Sequence, residues 1–141
     1  MTLHAKDAGL AEAVKNARRV FLIGNGGSHA NAMHMANDLI ACGVSAHTID
    51  PATLTAFSND YGYEVALSMW LCTVARKGDL LIALSGSGTS PNIVEACMRA
   101  DNFEVKVWKV FGKERGQDMQ QAEEYQIALG HELRRQLNAR T

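Results

Sequence analysis

The chain alternates short, unbroken apolar runs with longer stretches in which apolar residues recur every three or four positions. The first kind, VFLI at 20–23 and DLLIAL at 79–84, marks strands buried on both faces, as in a parallel sheet. SAHTI at 45–49 and the apolar stretch of 105–111 read as two more strands. The second kind predicts helices over 7–19, 28–41, 63–74, from Pro91 to about Ala100, and over 117–138. On the last of these, Leu129, Leu133 and Leu137 line up with Tyr125, a stripe longer than one small sandwich is expected to cover. Asp50-Pro51 predicts a turn followed by a short helix or loop to Phe57, and Lys77-Gly78-Asp79 predicts a second turn. Strands alternating with helices predict an α/β fold, a three-layer sandwich around a short parallel sheet, as a single domain over 1–141.

Composition narrows the function classes. The 141 residues suffice for one core, and 47% apolar with 21% charged residues excludes a disordered chain. The formal net charge is −1 with no Lys/Arg run, so no nucleic-acid partner is expected. No apolar run nears the ~20 residues of a membrane span, and the first residues have no apolar signal core. Cys42, Cys72 and Cys97 are widely spaced and form no CxxC pair, which predicts buried thiols in a cytoplasmic protein.

Two glycine loops follow the two clearest strands, where open parallel sheets bind ligands. Ser85-Gly86-Ser87-Gly88-Thr89-Ser90 places four hydroxyls before a helix that begins at Pro91. Glycine lets backbone amides curl towards an anion at a helix N-terminus, and hydroxyls donate to phosphate oxygens without fixed charge. A solvated turn with a capping serine has the same composition. Gly24-Asn25-Gly26-Gly27-Ser28 is the weaker phosphate signal, and a tight strand-to-helix turn is its other reading. Neither loop has the GxGxxG or GK[ST] pattern, so no dinucleotide or other organic cofactor is expected. On the helix after the first loop, His34 and Asp38 lie about 40° apart on one face. Such a pair can ligate a metal, move protons, or be a plain surface contact. Glu123 and His131 on the last helix share a face within about 80°, two turns apart, or belong to an ordinary solvated face.

GNGGSHANAMH, FSNDYGYE and LSGSGTSPN, in this order, resemble the sugar isomerase (SIS) domain of phosphoheptose isomerases. The resemblance covers 20–137. It implies a flavodoxin-like SIS sandwich and aldose–ketose isomerisation of a ketose phosphate of the sedoheptulose 7-phosphate type through an enediol. A noncatalytic SIS module that binds a sugar phosphate or a protein partner is the alternative. The resemblance implies substrate binding by Asn25, Gly26, Gly27, Ser28, Asp60, Ser85, Gly86, Ser87, Thr89 and Ser90. Asp38 and His131 become the catalytic pair, Asp38 standing where the family has glutamate. Some members bind zinc, which would make His34, Asp38, Glu123 and His131 the ligands here. A homo-oligomer, dimer or tetramer, is implied too. Phe111 runs through GKERGQDMQQ straight into the last helix, where the family inserts a strand, so four strands are expected instead of five.

Overall fold

The computed structural model describes residues 3–138. Four parallel strands, β1 (Val20–Ile23), β2 (Ala46–His47), β3 (Leu80–Ser85) and β4 (Lys106–Phe111), form one sheet in the order β2-β1-β3-β4. Six α-helices connect and cover them: α1 (Leu10–Asn16), α2 (Gly27–Ala41), α3 (Pro51–Tyr61), α4 (Tyr63–Val74), α5 (Pro91–Asn102) and α6 (Met119–Asn138). The period-2 alternation of the strands divides the core between two faces. Val20, Leu22, Leu80, Ile82 and Leu84 pack with α1, α2 and α6. Phe21, Ile23, Leu81 and Ala83 pack with α4 and α5. The sandwich of three layers is therefore as the sequence pattern predicts.

The differences lie at element ends and have local causes. The expected helix over 7–19 divides into a 3-10 turn, Ala5–Asp7, and α1, because Asp7 turns inward to Arg115. The strand expected over 45–49 shrinks to Ala46–His47, the two residues that pair with β1. The segment expected to be a short helix or loop is the full helix α3, whose first turn is fixed by the Asp50 side chain accepting from Thr53 N. Cys97 is buried, and burial pushes its thiol up to about 11; Cys42 and Cys72 are half-buried, contrary to the expectation of three buried thiols. The stripe on α6 is covered within the chain, with Leu129 and Leu133 at 0% exposure and Tyr125 buried, so it leaves no apolar face for a second copy.

The sheet ends without a fifth strand among the described residues. Lys106 N donates to Asp79 O and Gly112 N to Ser85 O, so alternate amides of β4 face β3 and the others face outward. Two of the outward carbonyls, those of Lys109 and Phe111, accept from the Arg115 guanidinium. The same guanidinium holds both Asp7 oxygens, at 2.7 and 3.0 Å, and Asp7 also accepts from Trp108 Nε1 and the Tyr125 hydroxyl. This buried cluster ties the N-terminal turn, β4 and α6 together.

Candidate active site

Because α2 leaves β1 for one face and α5 leaves β3 for the other, the sheet's switch point lies between β1 and β3. A recess of about 60 Å³ opens there, lined by Asn25, Ser28, Ser85, Gly86, Ser87 and Ser90, with Met119 of α6 at its rim. That is several times the ~10–15 Å³ that one water needs, room for a small anion. The Ser85 and Ser87 hydroxyls accept from Gly88 N (2.9 Å) and Thr89 N (3.2 Å), which shapes the loop and leaves each O–H to donate elsewhere. Ser90 is the N-cap of α5 but does not cap it with its hydroxyl, which stays free for the recess. Gly26, at φ 53°, turns the chain into α2, and Gly27 opens that helix.

Several partners of this recess escaped the sequence reading. Asn25 and Asn92 exchange amide hydrogen bonds at 2.9 and 2.8 Å, and the Tyr63 hydroxyl donates to Asn25 Oδ1 at 2.6 Å. Asn25 is thus left with one free N–H. Gln126 of α6 donates to the Ser28 hydroxyl (3.1 Å) and accepts from Asn31 (2.9 Å), a buried chain joining α2 to α6. Thr89 is exposed and borders a different hollow, with Glu64 and Pro91. Asp60 is exposed on α3, bonded to the neighbouring Asn59, and is not among the residues lining the recess.

Two turns along α2 lies the second cluster. His34 Nε2 and His131 Nε2 are 3.0 Å apart, and Asp38 Oδ2 is 3.8 Å from His34 Nε2. One ligand-type atom from each of the three lies within 4.8 Å of the others. The Asp38 side chain is 3% exposed, and its Oδ2 is buried without a hydrogen-bond partner. Two imidazole nitrogens and an orphaned carboxylate oxygen around one point make a donor set that fits a divalent cation or a shared proton. Glu123 does not join them. It precedes His131 by eight residues, about 12 Å along the helix. Its carboxylate lies against Gly27 instead, where a Cβ would stand 2.2 Å from Oε2. A carboxylate there complements the positive N-terminus of α2.

Most of the chain fits one family. Residues 3–112 match the SIS domain model, and the chain belongs to the SIS domain family. Among its relatives, a phosphoheptose isomerase of Campylobacter concisus is 39% identical over 112 residues, covering 74% of this chain and 59% of that protein. A phosphoheptose isomerase of Akkermansia muciniphila is 38% identical over 126 residues, covering 84% of this chain and 66% of that protein. The chain thus spans about three fifths to two thirds of these relatives' length. The solved structure of phosphoheptose isomerase GmhA from Neisseria gonorrhoeae superposes with a TM-score of 0.82 at 26% identity, covering 92% of this chain and 81% of that one.

Proposed function

We propose that this chain is a phosphosugar isomerase, interconverting an aldose and a ketose phosphate of the sedoheptulose 7-phosphate type through an enediol. The observation that carries this reading is the alignment of both clusters along α2 and α6. Ser28 at the anion-sized recess and His34 beside His131 are six residues apart, ~9 Å along the helix. Such a separation suits an open-chain sugar whose carbonyl is several carbons from its phosphate ester. The relatives, phosphoheptose isomerases, agree with it.

In this mechanism Ser85, Ser87 and Ser90, with Ser28, donate to the phosphate at the N-terminus of α5, and Gly86 lets the loop approach it. Gly26 and Gly27 shape the first loop, and the remaining Asn25 N–H meets the sugar. Asp60 and Thr89 reach the substrate only if α3 and the second loop close over it. His131, with Asp38, removes the proton on the carbon next to the carbonyl, giving the enediol, and returns it to the adjacent carbon. The 3.0 Å contact lets His34 share the proton that His131 carries. In place of that shared proton, His34, Asp38 and His131 would hold a zinc ion, which would supply a Lewis acid beside the carbonyl. The free thiols support a cytoplasmic location. Met33 and Ile40, 52% and 55% exposed and seven residues apart on α2, support a homo-oligomer, dimer or tetramer.

The test is proton NMR with sedoheptulose 7-phosphate in deuterated water. Deuterium entering the carbon next to the carbonyl, together with aldose product, is the expected outcome, and H131Q abolishes it. No exchange and no aldose product from the unaltered chain at millimolar substrate together reject the isomerase.

A further inference from the structure

Asp38 is a buried carboxylate on a helix, and its two oxygens have different surroundings. Oδ1 accepts from Arg134 Nη1 at 3.3 Å, and Oδ2 faces the histidine pair with no hydrogen-bond partner of its own. A carboxylate free to rotate beside a guanidinium would present both oxygens to it, the geometry that bidentate pairs favour. The rest of α6 opposes that rotation only weakly. Gly130, one turn before Arg134, faces Asp38, and a Cβ there would stand 3.1 Å from Oδ2. The face of α6 opposite Asp38 is therefore a gap followed by a cation: the gap admits Oδ2, and the cation takes Oδ1. The Arg134 side chain is 45% exposed at the rim of the hollow over His34 and His131.

We propose that Arg134 is the positioning residue for Asp38, its guanidinium holding Oδ1 so that Oδ2 stays turned towards the His34–His131 pair. Arg134 acts through Asp38 and does not bind substrate. The kinetic consequence rests on the isomerase reading, whereas the orientation of Asp38 does not. Removing the guanidinium frees the carboxylate to turn to solvent through the hollow. The reacting groups then lose alignment, while the serine loop, at the recess beside Ser28, keeps the phosphate.

The experiment has two arms. The first is the crystal structure of R134A, in which the Asp38 carboxylate is expected to rotate so that Oδ2 no longer faces His34 and His131; an unmoved carboxylate overturns the proposal. The second compares turnover of the ketose phosphate by R134A and R134K. In R134A kcat falls about tenfold or more with KM within about twofold, and R134K recovers most of the loss. An unchanged kcat, or a rise in KM alone, overturns the proposal and makes Arg134 dispensable or a substrate ligand. Should the unaltered chain show no turnover, the isomerase reading fails by itself, and the crystal structure still decides the role of Arg134.

Discussion

At the residue scale, the serine loop shows how a hydroxyl can serve two partners. Ser85 and Ser87 accept from backbone amides of their own loop, so their oxygens are fixed while each O–H is left to donate to a second partner. Replacing Ser87 with Ala should weaken sugar-phosphate binding by ~0.5–1.5 kcal/mol, and S85A/S87A should weaken it further. Calorimetry reads this directly, and an unchanged affinity in the double variant removes the loop from the site. The loop was legible in the sequence because glycine and serine signal turns and anions locally. His34 and Asp38 were legible because i and i+4 share a helix face. Arg134, Gly130, Asn92 and Tyr63 were not. Their roles arise from pairs far apart in the chain, and an arginine, a glycine or an asparagine in a helix carries no local mark of its distant partner. Glu123 was grouped with His131 as a ligand only through the resemblance; its two-turn separation along α6 was already legible, and its carboxylate lies at Gly27.

At the scale of elements, α6 organises the site. It places Met119 at the recess, Gln126 on Ser28, His131 on His34 and Arg134 on Asp38. Its own seat is the Asp7–Arg115–Tyr125 cluster. Burial pushes the Asp7 carboxyl up, but hydrogen bonds from Arg115, Trp108 and Tyr125, with the Arg115 charge, outweigh it and hold it below its ordinary 3.8. The native state therefore binds fewer protons than the unfolded chain in acid. The stabilisation is complete above the ordinary value and is lost as pH falls through the lowered one. Tyr125 behaves oppositely. Burial, then the bond to Asp7, raises its hydroxyl to about 12, so its contribution is complete below 10 and is lost as pH rises through about 12. Urea midpoints measured across pH should fall at both ends. Asp7→Asn should cost about 3–5 kcal/mol at neutral pH, as loss of one partner of a buried pair does, and should flatten the acid limb. An acid limb as steep as that of the unaltered protein refutes the assignment. Helix α3 was under-read because none of its residues is buried, so the apolar period that betrays a packed helix is missing; only Asp50 and Pro51 announced it.

For the whole molecule, the order of layers was legible, since unbroken apolar strands admit helices on both faces. The surface that the sequence offered for assembly is not free. The α6 stripe is consumed by the chain's own core, and in the proposed assembly Met33 and Ile40 on α2 take its place. Sedimentation should show at least a dimer of the 15.3 kDa chain at micromolar concentration, and M33K/I40K should shift it to a monomer. A monomer before any substitution refutes assembly. Neither rim of the sheet invites an intruding strand. β2 is only two residues long, and the outward carbonyls of Lys109 and Phe111 on β4 are taken by Arg115. A fibril grows by copying such a rim, adding one chain's backbone to the next. Here the copying step would meet an arginine already bonded to the template and to a buried aspartate, so two of the carbonyls that a misfolded neighbour would have to pair with are already occupied.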